Sequence, residues 1–299
     1  MAYIKEVYMK KSIITDQVDM DLEKALPIIK REGYKYVELH NVFGKSIEEI
    51  NDEEIEKVKK LLNQFDLRVT SIASTVYFLC PLYATDQVSL FNPEFFAIEG
   101  NVEKHLEYLK RACYIAKQLN ADVIRVFPFR FPDNRKPPFG GKVDKENIIA
   151  NLKLAVNIAQ ENDIVLALEN CPYSHLPKGQ MTYEVIQAIS SPNLRLLWDP
   201  ANSYRAYKEN VPKEYLSKNL LEELDLIFPY IEHIHIKDYH FDPNQKKPFV
   251  HRALLEGDID FKRILEILKE KGYSNAISLE PEVDFENTLK SMNVLSTIS

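Results

Sequence analysis

Glycine is scarce in this chain, 8 in 299 residues. None of them builds the GxGxxG turn that an open, doubly wound sheet uses to grip a dinucleotide. Cysteine is scarcer still. Cys80, Cys113 and Cys171 are odd in number and far apart, with no CxxC pair, so they read as reduced thiols rather than a disulfide framework. No apolar run approaches the roughly 20 residues that cross a bilayer. The first twenty residues carry Lys5, Glu6, Lys10, Lys11 and Asp16, which leaves no signal-peptide core. A cytoplasmic protein with no membrane partner is the expectation. An excess of positive charge is also missing: 38 Lys and Arg face 45 Asp and Glu, for a net charge of -7. That argues against a nucleic-acid partner.

What is present is an alternation. Short apolar runs, at residues 7–15, 36–40, 68–73, 122–127, 164–170, 194–199, 231–237 and 276–280, read as strands. The first is a poor one, interrupted by Lys10 and Lys11. Amphipathic stretches lie between them, at 21–32, 52–65, 102–119, 144–162, 183–190, 220–228 and 261–271. The first of these places Leu22, Ala25, Leu26 and Ile29 on one face. Strand–helix units in unbroken succession predict one (β/α)8 TIM barrel over residues 1–299. Turns entering strands are short, whereas the segments after strands three, four, six and seven are long. That asymmetry is expected when one end of a barrel carries function and the other stability.

Four consecutive strands end on residues that bind metals. Strand five ends on Glu169, strand six on Asp199, strand seven carries His235, and strand eight ends on Glu280. Alternation along a strand turns Val165, Ala167 and Glu169 one way and Leu166 and Leu168 the other. It likewise opposes His233, His235 and Lys237 to Ile234 and Ile236. The bulkier apolar set suits the helix layer, so the polar set points into the barrel. Carboxylates crowded there repel strongly, and a divalent cation removes the repulsion. Three carboxylates and one imidazole suit Mn, Mg or Co, with Zn as a further option.

The segments Glu169-Asn170, Trp198-Asp199-Pro200-Ala201-Asn202, His233-Ile234-His235-Ile236-Lys237-Asp238, Leu255-Glu256-Gly257-Asp258-Ile259-Asp260 and Ser278-Leu279-Glu280-Pro281 resemble, in order and spacing, the sugar phosphate isomerase/epimerase family of xylose isomerase-like TIM barrels. The resemblance runs from strand two to strand eight. It implies that Glu169, Asp199, His235 and Glu280 bind the metal. It also implies that Glu169 and Glu280 move a proton through an enediolate of a small ketose or sugar phosphate. The family also holds inosose dehydratases, which supply an alternative reading on a keto-polyol, and an AP endonuclease branch. Many family epimerases and the endonucleases carry His where this chain has Asn202. The endonucleases' extra metal histidines are replaced by Ala73-Ser74-Thr75 and Phe127-Pro128, which disfavours DNA repair. A non-catalytic sugar-binding barrel is the remaining alternative.

Further residues are candidates for contact with a sugar or polyol: Lys237 beside His235, Arg252 and His251 after strand seven, Glu38 and His40 on strand two, Asn202, and His175 after strand five. Arg130, Arg135 and Lys136 read as a solvated basic loop. Tyr77, Phe78, Tyr83, Phe91, Phe95 and Phe96 suggest a lid over the site, with packing of the long loop against the barrel or against a partner subunit of a homodimer as an equal alternative, and Trp198 reads as core.

Overall fold

Apolar runs of four to six residues become strands here because each is covered by helices outside and paired along both edges. The computed structural model describes residues 8–90, 95–206 and 208–298. Its barrel strands are β1 (Lys10–Ile13), β2 (Tyr36–Leu39), β3 (Arg68–Ile72), β4 (Val123–Val126), β5 (Val165–Glu169), β6 (Leu194–Trp198), β7 (Ile231–Ile236) and β8 (Ala276–Leu279). They pair in parallel in the order β1-β8-β7-β6-β5-β4-β3-β2. A parallel bridge from Ile14 to Glu38 brings β1 back against β2. The chain thus folds as the expected (β/α)8 barrel, nearly closed.

The outer layer comprises α1 (Leu22–Arg31), α2 (Asp52–Gln64), α3 (Val102–Gln118), α4 (Lys142–Glu161), α5 (Gly179–Ile189), α6 (Pro200–Arg205), α7 (Leu220–Ile227), α8 (Phe261–Glu270) and α9 (Phe285–Thr297). Their amphipathic spacing fixes how they lie. In α1, Leu22, Ala25, Leu26 and Ile29 are buried, and in α8, Phe261, Ile264, Leu265 and Leu268. Each large apolar side chain so buried contributes roughly 1.5–3 kcal/mol. Starts are set by caps: Asn51 and Glu54 form a reciprocal capping box at α2, as Asn219 and Glu222 do at α7. Among the described residues no helix is long and apolar enough to cross a membrane.

Five turns from helix to strand repeat one geometry. Gly33, Asp66, Asn120, Asp163 and Gly272 all take positive φ, between 47° and 85°. The residue after each donates its N–H back five positions, for example Leu67 to Leu62 O at 3.0 Å and Ile164 to Ala159 O at 2.9 Å. This is the helix-ending motif that glycine, asparagine and aspartate tolerate best.

The structure departs from the sequence expectation in four places. Lys10 and Lys11 do not break β1: Lys11 reaches outward and donates to Ser296 O at 3.0 Å, at the carbonyl end of α9, where a cation is favoured. Helix α9 itself was not anticipated; Asp284 caps it by accepting from Asn287 N at 2.9 Å. Helix α6 begins abruptly because Asp199 is its N-cap and Pro200 its first residue. The loop after β7 contains an antiparallel hairpin, Asp238–Phe241 with Phe249–Arg252. Asp238 organises its return, accepting from Leu255 N and Gly257 N at 3.0 Å each. A side chain at Gly257 would collide with that carboxylate.

Candidate metal centre

Strand register delivers the site. Glu169 is the last residue of β5, Asp199 follows β6, His235 lies in β7, and Glu280 follows β8. One donor atom from each lies within 4.8 Å of the others. All four are buried, none more than 9% exposed. Glu169 and Glu280 line a cleft of about 1050 Å³ whose walls include Phe78, Phe95, Phe127, Asn202, Lys237 and His251, and Asp199 and His235 lie buried beside them.

The surroundings hold each group in one orientation. Asn170 clamps the ends of β5 and β6: its Oδ1 accepts from Asp199 N at 2.8 Å, and its Nδ2 donates to Asp199 O at 2.8 Å. Asn202 Nδ2 donates to Glu169 Oε1 at 2.9 Å. Asn202 N donates to Asp199 Oδ1 at 2.9 Å. Glu38 lies beneath, fully buried, with Oε2 3.1 Å from His235 Nε2 and 3.0 Å from His233 Nε2. That carboxylate–imidazole pair turns His235 Nδ1 towards the other three groups, as second partners of metal-binding histidines do.

Arg125 is the residue that sequence reading passed over. Its guanidinium is buried inside the barrel, with Nη1 3.3 Å from Glu169 Oε2 and 3.5 Å from Glu280 Oε1. Nε and Nη2 donate to Ser74 O and Ala73 O, both at 3.1 Å. Alternation in β4 carried the signal: Val123 and Arg125 face inward together, and Val123 packs there with Ala167 and Leu197.

The electrostatics are those of a crowded acidic nest. Burial pushes Glu169 up to about 7, although Arg125 and His235 pull the other way. Burial also raises Asp199, against the pull of Lys237. Burial would raise Glu280 as well, but Lys237 and His235 outweigh it and hold that carboxyl well below its ordinary range. Burial opposes charge on His235, yet Glu38 and Glu280 prevail and raise it to about 10. Within these four groups, two buried atoms lack a hydrogen bond: His235 Nδ1, 3.4 Å from Glu280 Oε2, and Asp199 Oδ2. Lys237 Nζ lies 3.0 Å from Asp199 Oδ2, outside hydrogen-bond geometry. An imidazole nitrogen and a carboxylate oxygen left without donors, facing further carboxylate oxygens, fit a divalent cation.

The other expected contacts divide. Lys237 and Asn202 line the cleft, but both also bond the acidic groups. His40 lines it with both nitrogens engaged, Nδ1 2.8 Å from Asp16 Oδ2 and Nε2 3.0 Å from Phe96 O. Glu38 does not reach the cleft, because it lies below the histidines. Arg252 does not line it either: it is exposed on the hairpin, and its neighbour His251 faces the cleft instead. His175 is buried beside Asp144 at 3.3 Å, away from the cleft lining. Arg130 and Arg135 are not a solvated basic loop. Arg130 is 5% exposed and donates to Tyr173 O, and Arg135 pairs with Asp86 at 2.9 Å and Asp144 at 3.3 Å. Phe78, Phe95 and Phe96 line the cleft, whereas Tyr77 is core and stacks on Phe129. Phe91 lies outside the described residues. Trp198 is fully buried and donates to Glu223 Oε1 at 3.0 Å.

Known proteins carry the same frame. An uncharacterised protein of Methanocaldococcus jannaschii, MJ1311, is 28% identical over 193 residues, 64% of this chain and 60% of that protein's length. A solved D-tagatose 3-epimerase-like protein superposes with a TM-score of 0.67 at 21% identity, covering 96% of each chain. The IolI protein, solved with a zinc atom, gives 0.68 at 17% identity and again 96% of each. Identities this low speak for the fold alone. The family model that describes xylose isomerase-like TIM barrels, however, matches residues 26–298, which include β2 to β8 and all four residues of the candidate centre, and the chain belongs to that family.

Proposed function

We propose that this protein is a divalent-metal-dependent isomerase or epimerase that relocates a proton beside the carbonyl of a small ketose or sugar phosphate. The observation that carries this reading is the meeting of Glu169, Asp199, His235 and Glu280 at a cleft that Glu169 and Glu280 line. Bound Mn, Mg, Co or Zn would polarise the ketone and acidify the adjacent C–H.

The chain's own residues supply the rest. Glu169, buried at the end of β5, is the group that takes the proton from the carbon beside the carbonyl and gives it back. Asn202 fixes its Oε1 and Arg125 approaches its Oε2, so the carboxylate enters the reaction already oriented. Glu280, which follows β8 rather than β5, is the second acid–base group. Phe78, Phe95 and Phe127 form an apolar wall that suits the C–H face of a sugar and keeps water from the reacting carbon. His251 faces the substrate's remaining oxygens from the hairpin.

The test is deuterium exchange. Purified protein supplied with Mn(II) in heavy water is incubated with a panel of ketoses, ketose phosphates and inososes. Deuterium should enter one of them at the carbon next to the carbonyl. No exchange into any member of the panel would end the reading. Loss of water from an inosose would replace it with the dehydratase.

A further inference from the structure

The acidic nest already has two cations: Arg125, tied to Ser74 O and Ala73 O, and Lys237, which sits on the carboxylates Asp199 and Glu280. Lys237 Nζ lies 2.7 Å from Glu280 Oε2 and 3.0 Å from Asp199 Oδ2. An ammonium at these distances and a divalent ion held by the same carboxylates compete for the same oxygens. The lysine has a third partner, Glu282 Oε1, at 3.0 Å. Glu282 stands on the solvent side of the nest. Its side chain is 40% exposed, against 0% for Asp199 and 11% for Glu280.

The chain holds Glu282 there firmly. Its backbone has φ 50°, a region that residues other than glycine seldom enter. Its N–H donates to Gln17 Oε1 at 2.9 Å. Its second oxygen lies 3.4 Å from His251 Nε2. A lysine stem is long and flexible, so its ammonium can change partners without moving β7.

We infer that Glu282 is the holding point for the Lys237 ammonium: when a divalent ion takes Asp199 and Glu280, the ammonium withdraws onto Glu282. Glu282 then sets the affinity of the centre through the lysine and not by touching the ion. This rests on the metal reading of the site.

The experiment is a double-mutant cycle read by calorimetric titration with Mn(II) alone, on wild type, Lys237→Gln, Glu282→Gln and the double variant. Lys237→Gln should tighten Mn(II) binding about tenfold or more, because the competitor is gone. Glu282→Gln should weaken binding about fivefold when Lys237 is present and by less than about twofold when it is not. A simple through-space attraction between Glu282 and the ion predicts the same weakening in both backgrounds. That result would overturn the inference while leaving the metal centre standing. No Mn(II) uptake by any of the four proteins would overturn the metal reading and the inference with it. Should Lys237→Gln fail to fold, Lys237→Met keeps the stem volume and completes the same cycle.

Discussion

The two ends of this barrel solve different problems. At the lower end, five turns use the same left-handed residue and the same backward hydrogen bond to pass from helix to strand. At the upper end the loops differ: one is a long aromatic insertion, another opens with a six-residue helix, another is a hairpin. The upper end buries three carboxylates, an arginine, a lysine and an imidazole together. Repetition marks the end that only has to close the fold, and irregularity marks the end where charged groups must be held against their own repulsion.

The sharpest way to test that division is to remove the charge and keep the shape. Glu169→Gln preserves the acceptor for Asn202 but not the base. Turnover should fall by about a thousandfold or more, measured by deuterium exchange. The metal-free melting temperature should fall only modestly: Arg125 Nη1 loses its Oε2 acceptor on residue 169 but keeps Glu280 as a partner. A variant that turned over at the wild-type rate would move the base elsewhere.

The division also explains what could be read before any coordinates. The strands and the helices with strong apolar stripes are local features, set by period and by caps such as Asn51 with Glu54, so the sequence carries them openly. Glu169, Asp199, His235 and Glu280 were legible because a strand end is a local feature and the barrel brings such ends together. Arg125 was also within reach of the alternation rule but was lost inside an apolar run. Glu38 was misjudged for a different reason. Its face was right, but depth along the barrel axis depends on strand stagger, which one strand's sequence does not contain. Arg252 and His251 show the same limit, since the hairpin after β7 is what turns one inward and the other out. Helix α9 was missed because half of its buried face is polar, Thr288 and Ser291 beside Met292 and Leu295. Its outward side even shows Phe285, 49% exposed.

A second test asks whether the upper end is sensitive to pH away from the candidate metal centre. His105, on α3, is fully buried and accepts from Tyr77 N through Nδ1 at 3.0 Å. Tyr77 itself sits at φ 67°, so this bond pins the start of the aromatic loop. Burial lowers His105 from 6.5 to about 4. The unfolded chain therefore takes up a proton at a higher pH than the folded one. The contribution of neutral His105 is fully present above pH 6.5 and is lost as pH falls towards 4, by ~3 kcal/mol. Urea titrations across that window should show the loss. His105→Gln, which can still accept from Tyr77 N, should flatten it. An unchanged slope in the variant would assign the pH dependence to other groups.

A third test separates holding a ligand from being one. Glu38 touches no part of the cleft yet orients His235. Glu38→Gln should weaken Mn(II) binding by about ten- to a hundredfold, read by the same titration. It should change the exchange rate at saturating metal much less. Equal losses in affinity and in saturated rate would instead place Glu38 in the reaction.

The smallest effects belong to the lower end. At Gly33 an added Cβ meets no heavy atom within 4 Å, so its φ of 85° is the sole obstacle to a side chain. Gly33→Ala should then lose ~1 kcal/mol, and Gly33→Asn less, because asparagine enters the left-handed region more readily. Asp163 takes the same position in the turn before β5 with φ 50°. Asp163→Gly relieves its strain but frees the unfolded chain, and should lie within ~0.5 kcal/mol of wild type. Urea midpoints measure all three. Mn(II) affinity should be the same as wild type in each, since these turns are at the end of the barrel opposite the centre. A turn variant that shifted that affinity severalfold would mean that the strand stagger, and with it the depth of Glu38 and the aim of His235, is set from below.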